Sequence, residues 1–97
     1  GVYRVDAFFA NGTYDVSDGN TCAMRSLYLN GRRAGTLAFP HTSRSGNWDY
    51  FIYSTAVEVV LKPGPCRVEL AYDSFSVNMN RLVNDAVIKH LRFTRIS

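Results

Sequence analysis

The chain is sparing with the residues that staple, kink or strongly charge a small protein. Among 97 residues it has two cysteines, three prolines and a single tryptophan. Two cysteines, Cys22 and Cys66, allow at most one internal bridge. No apolar run approaches the length of a membrane span, so no helical anchor is expected and a membrane is not among the predicted partners. No signal peptide is present; an exported form would have lost its signal or would carry it upstream of this fragment. The net charge is only +3, and its arginines are spread singly apart from Arg32-Arg33. Without a basic stripe extending from that pair, nucleic acid is excluded as a leading partner. Gly-x-Ser-x-Gly, His-Glu-x-x-His and phosphate-loop motifs are all missing, which removes the commonest catalytic classes. His41 and His90 have no carboxylate or cysteine at ligand spacing, so neither a metal site nor a cofactor is predicted from the residues.

What is present favours strands. Apolar residues make up 46% and charged residues 20% of the chain, with six Tyr and six Phe. That is an ordinary balance for a folded domain, and its aromatic and branched residues suit a pleated surface. Residues 1–97 are read as one domain, large enough for a single core and taken as a fragment of a larger protein. Tyr3 to Ala10 alternates, with Tyr3, Val5 and Ala7 on one face and Arg4 and Asp6 on the other. Cys22 to Leu29 and Gly35 to Phe39 flank Asn30-Gly31, whose residues both tolerate positive φ and mark a hairpin. Tyr50 to Leu61 is a long β-rich run. Lys62-Pro63-Gly64-Pro65 is the sharpest turn, and Arg67 to Tyr72 alternates cleanly behind it. Ala86 to Ile96 is the last strand, although Asn80 to Leu91 also admits a helical period.

This spacing of strands and turns predicts an all-β fold, an antiparallel β-sandwich of about seven strands. Following strand directions places the polar loops 11–20, 40–47 and 73–85 on one rim and both tight turns on the other. Loops gathered over a rigid scaffold are where binding sites are built. The same order puts Cys22 and Cys66 at opposite ends, roughly 20 Å apart for strands of ordinary length. That exceeds disulfide reach, so two unbridged thiols are expected.

Several landmarks occur in a familiar order. Phe9-Ala10-Asn11-Gly12 closes the first strand, and Leu27-Tyr28-Leu29-Asn30-Gly31 closes the second. Leu37-Ala38-Phe39-Pro40 follows, then Gly46-Asn47-Trp48-Asp49-Tyr50, then Val57 to Leu61 with Pro63-Gly64 and Arg67-Val68-Glu69-Leu70. In these features the chain resembles carbohydrate-binding modules of families 6 and 35. The resemblance implies a jelly-roll sandwich that binds polysaccharide without catalysis, attached to a secreted glycoside hydrolase or polysaccharide lyase. It also implies a secreted or periplasmic location. Those families begin with a Glu-rich strand region that is missing here, so the remainder of the parent protein, or another chain, is a predicted partner. They also carry a structural calcium ion, but Lys89 stands where a calcium carboxylate is expected.

Trp48 at a strand mouth is suited to stacking on the C–H face of a sugar ring, or to packing under its own loop. The resemblance adds Tyr50 as its neighbouring aromatic. Asn11, Asn78 and Asn84 offer amide donors and acceptors for sugar hydroxyls, while each also suits an ordinary turn. Asn84 and Asn78 are the closest counterparts of the family's sugar-binding asparagine. Arg44 and Arg81 lie on the loops beside Trp48, and a forked guanidinium suits a uronic-acid carboxylate, which adds acidic glycans to the predicted ligands. Asp49, Asp73 and Asp85 reach the rim, but a glycosidase pair needs a deep cleft that so small a sandwich would hardly enclose. The alternative to sugar binding is an accessory sandwich that packs on a catalytic domain.

Overall fold

The computed structural model describes residues 1–13, 22–42, 47–74, 76 and 84–97. Among them are seven strands: β1 (Val2–Ala10), β2 (Ala23–Leu29), β3 (Arg32–Phe39), β4 (Ile52–Tyr53), β5 (Val57–Val60), β6 (Val68–Ala71) and β7 (Val87–Arg95). Every pairing is antiparallel. One sheet joins β4, β5 and β7 to a central β1, and the other runs β3-β2-β6. Because β7 follows one edge of β1 from Tyr3 to Ala10, β4 and β5 must share the other edge.

The Asn30-Gly31 turn forms as its residues dictate. Asn30 and Gly31 both take positive φ, 52° and 82°, and Leu29 pairs directly with Arg32. That is the two-residue hairpin whose twist matches its strands. It lets β3 begin at Arg32, ahead of the expected Gly35.

The run from Tyr50 to Leu61 is not one strand. Phe8 pairs with Tyr53 and Val5 with Val57, so Ser54, Thr55 and Ala56 stand opposite only Asp6 and Ala7. This extra residue is a bulge, and the hydroxyls explain it. Ser54 donates its N–H to the Ala7 carbonyl at 2.8 Å, while its Oγ accepts the Ala7 N–H at 3.0 Å. Thr55 turns to the other sheet, where its Oγ1 accepts the Ala38 N–H at 2.9 Å. The helical alternative over Asn80 to Leu91 fails from Asn84 onward, since Val87–Arg95 is a strand; residues 80–83 lie outside the described residues.

The two sheets share one core. Phe9 of β1 meets Phe39 of β3 edge-on, with centroids 5.0 Å apart, and Ala7, Ala23 and Leu37 fill the space around them. Val5, Leu27 and Val59 continue the core toward the tight turns. Along one side β3 and β5 close the gap at Thr55–Ala38. A Cβ on Gly35 would lie 2.8 Å from Val57, so only glycine permits this approach of the two sheets. Along the other side no Cα of β6 comes within 8 Å of one in β7, although Leu70, Ile88 and Leu91 pack on the same core cluster.

On β1, Val5, Ala7 and Phe9 face the core, while Asp6 lies on the opposite face as its alternation predicts, yet is only 5% exposed. Its register partner on β7 is Arg92, whose guanidinium covers the carboxylate. Cys22 precedes β2 and Cys66 precedes β6, at opposite ends of the sheets, and no disulfide joins them. The strand ends that lead into the long loops do share one rim. Ala10 pairs with Val87, Ala23 with Phe39, and Thr42 donates its N–H to the Asn11 carbonyl at 3.1 Å.

Candidate functional site

The outer face of an antiparallel sheet ordinarily alternates to polar residues. Here the outer face of β4-β1-β7 carries rings instead. Phe8 is the centre: its register partners are Tyr53 on β4 and His90 on β7. The Phe8 ring lies 4.8 Å from Tyr53, 5.5 Å from Phe51 and 5.1 Å from His90, with which it stacks. The Tyr53 hydroxyl and His90 Nε2 are 3.2 Å apart and hydrogen-bonded.

Cations flank these rings. Arg92 Cζ sits 3.5 Å from the centroid of Tyr53, and Lys89 Nζ sits 5.3 Å from that of Phe51. Phe8 pairs with His90 and Phe9 with Ile88, which leaves Lys89 as a bulge residue re-aimed toward the aromatic face. Asp6 fixes Arg92 by a two-pronged contact, accepting from Nε at 3.0 Å and from Nη2 at 2.7 Å. That hydrogen bond is the main cause of the raised pKa of Arg92. A cluster of mutually tilted rings, with a fixed guanidinium over one and an ammonium over another, offers apolar edges and positive groups to a ring-shaped ligand and its oxygens.

The residues expected to bind sugar are distributed differently. Trp48 is half-buried and Tyr50 exposed, both on the segment leading into β4. Arg44, Asn78 and Arg81 lie outside the described residues. Asn11 is corrected: it is fully buried and donates Nδ2 to the Phe39 carbonyl at 2.9 Å. Its Oδ1 accepts the N–H and the hydroxyl of Thr13. The buried side chain brackets the ends of β1 and β3 and presents nothing to a ligand.

Asn84 is corrected likewise, being only 9% exposed. Its Oδ1 accepts from the Met24 N–H at 2.8 Å and from Arg25 Nη1 at 2.7 Å. Its Nδ2 donates to the Ser76 carbonyl at 3.1 Å. Internal partners therefore occupy both ends of the amide. The calcium carboxylate implied by the family resemblance is replaced by a lysine at position 89. The Lys89 ammonium lies over Phe51, and no group of three or more His, Cys, Asp or Glu gathers among the described residues.

Asp73 does not join Asp49 and Asp85 in a carboxylate pair. It folds onto the outer face of the second sheet, where it accepts hydrogen bonds from Ser26 at 2.7 Å and from the Tyr28 phenol. The bond to Asp73 is the largest reason that Tyr28 keeps its proton above the ordinary tyrosine value. A pKa raised by folding stabilises fully below the unfolded value of about 10 and is lost as pH rises through the folded value. The melting temperature should therefore fall more steeply above about pH 10 in the wild type than in Tyr28→Phe. Equal slopes in thermal melts across that range would show that the Tyr28–Asp73 bond does not persist.

The aromatic face was legible in part. Phe8-Phe9 must send one ring to each side of β1, and Phe51 with Tyr53, like His90 with Arg92, repeats at the two-residue period of one face. What the sequence could not show is that these pairs lie on neighbouring strands in matching register. No protein-family model matches the chain, and no curated protein and no solved structure matches it.

Proposed function

We propose that the chain is a non-catalytic carbohydrate-binding domain with a jelly-roll strand order, attached to a secreted enzyme that acts on polysaccharide. The observation that carries this reading is the row Phe51, Phe8, Tyr53 and His90 on a solvent-facing sheet. Stacking on Tyr53 and Phe8 supplies affinity, and Trp48 and Tyr50 extend the apolar track toward the rim. Arg92 and Lys89 add a preference for acidic sugars, since their positive groups lie over the Tyr53 and Phe51 rings. Binding of this kind holds the attached enzyme near its substrate and raises the effective concentration there.

The test is a titration with neutral and uronic-acid oligosaccharides, followed by amide chemical shifts. Shifts should cluster at Phe8, Phe51, Tyr53 and His90. Loss of one stacked ring costs about 1.5 kcal/mol, so Tyr53→Ala should weaken binding roughly tenfold. No shift at millimolar sugar would refute the proposal. The rival, an accessory sandwich that packs on a neighbouring domain, draws on the half-exposed Val87 and Phe93 along β7. It predicts a silent titration.

A further inference from the structure

A second surface lies at the opposite end of the molecule, away from the aromatic face. Below the contact of Gly35 with Val57 the two sheets part along β3 and β5. On the β3 side Leu27 pairs with Gly35 and Tyr28 with Arg33, so Ala34 bulges out of register. The opening is a groove made of two connected clefts, of about 290 and 360 Å³, that share Leu29, Arg32 and Val60. Its floor is apolar, with Leu29, Ala34 and Val59, and Val60 stands 73% exposed at its margin.

The rim of the groove is strongly one-sided in charge. Arg32 and Arg33 line one cleft and Lys62 the other, against a single acid, Glu58. Arg95 and Lys62 line a further cleft across the Pro63–Pro65 turn. Among the described residues no aromatic ring lines the groove, which disfavours a sugar. Among the described residues both walls are end strands of their sheets, β3 paired with β2 and β5 with β1. Such edges offer backbone groups to an extended chain, with pockets for alternate side chains.

We infer that this groove binds an extended acidic peptide segment, with alternate apolar side chains on the floor of Leu29, Ala34 and Val59 and carboxylates against Arg32, Arg33 and Lys62. The site is independent of sugar binding and would let the domain hold a partner chain while its aromatic face is occupied. Because its charges are solvent-exposed, its affinity falls as salt rises.

The probe is a fluorescein-labelled, N-acetylated peptide of eight residues alternating Glu and Val, compared with its Lys–Val counterpart. Anisotropy should show saturable binding of the Glu–Val peptide alone, with amide shifts confined to residues 29–34 and 57–66. The double variant Arg32→Glu, Lys62→Glu alters two exposed side chains and should weaken binding roughly tenfold or more. Tyr53→Ala should leave it unchanged, which separates this site from the aromatic face. Equal binding of the Lys–Val peptide, an unaffected double variant or shifts elsewhere would overturn the inference. So would displacement of the peptide by an oligogalacturonate, which would mark a general polyanion surface.

Discussion

Asn84→Ala should lower the midpoint of thermal unfolding by roughly 15 °C. Asn84 stands just before β7, yet its amide serves β2 and the chain at Ser76. Alanine leaves the Met24 N–H and the Ser76 carbonyl without this partner and removes one acceptor from Arg25. Arg25 would still donate Nη2 to the backbone carbonyl of residue 84, as it does now at 2.8 Å. Its side chain also caps Tyr72, with Cζ 5.2 Å from that ring. The net loss is therefore the side-chain bonds alone, together about 3 kcal/mol. For a domain of this size each kcal/mol moves the midpoint by about 4–8 °C. Asn84→Asp keeps the acceptor for Met24 and Arg25 and loses only the donor to Ser76, so it should recover much of the loss. Circular dichroism melts of the two variants test this, and an alanine variant within a few degrees of wild type would refute it.

The same residue shows where the sequence stops being readable. The strand pattern, the Asn30-Gly31 hairpin and the common rim for the long loops follow from periodicity and turn chemistry, which are local. Asn84 and Asn11 have the composition of exposed loop residues, and nothing local announces that their amides are buried. Both bind backbone groups of other strands, a requirement set by where chain ends meet in space. Asp6 is a similar case, because its partner Arg92 lies 86 positions away and matters only through the β1–β7 register. The break at Ser54 to Ala56 has a local cause, but a serine or threonine in a β-rich run is compatible with an unbroken strand. Only the partner groups on Ala7 and Ala38 decide in favour of the bulge. The aromatic face needed one step more, the alignment of Phe8, Tyr53 and His90 on neighbouring strands. A rim site centred on Trp48 is the first suggestion the sequence makes, because a tryptophan behind a loop needs no register to be noticed.

Gly12→Ala should cost at least about 3 kcal/mol, because the added methyl has nowhere to go. A Cβ at this position would lie 2.3 Å from the carbonyl oxygen of Asn47 and 2.9 Å from its backbone nitrogen. Both are main-chain atoms, so no rotamer change relieves the overlap. Gly12 is itself buried and follows Asn11, whose bonds to Phe39 and Thr42 hold the chain in place from the β1 side. The segment that must move is therefore the one carrying Asn47, and with it Trp48 and Tyr50. Denaturant unfolding should show the loss of stability, and the emission of Trp48, the only tryptophan, should shift in the folded state. Phe8 and Tyr53 sit on paired strands and are not carried along. At a temperature where the variant remains folded, sugar bound through the strand-borne rings should persist while any share contributed by Trp48 falls away. A variant with wild-type stability and unchanged emission would show that Gly12 and Asn47 are not in contact. A folded variant that loses all binding would move the site from the sheet face back to the rim.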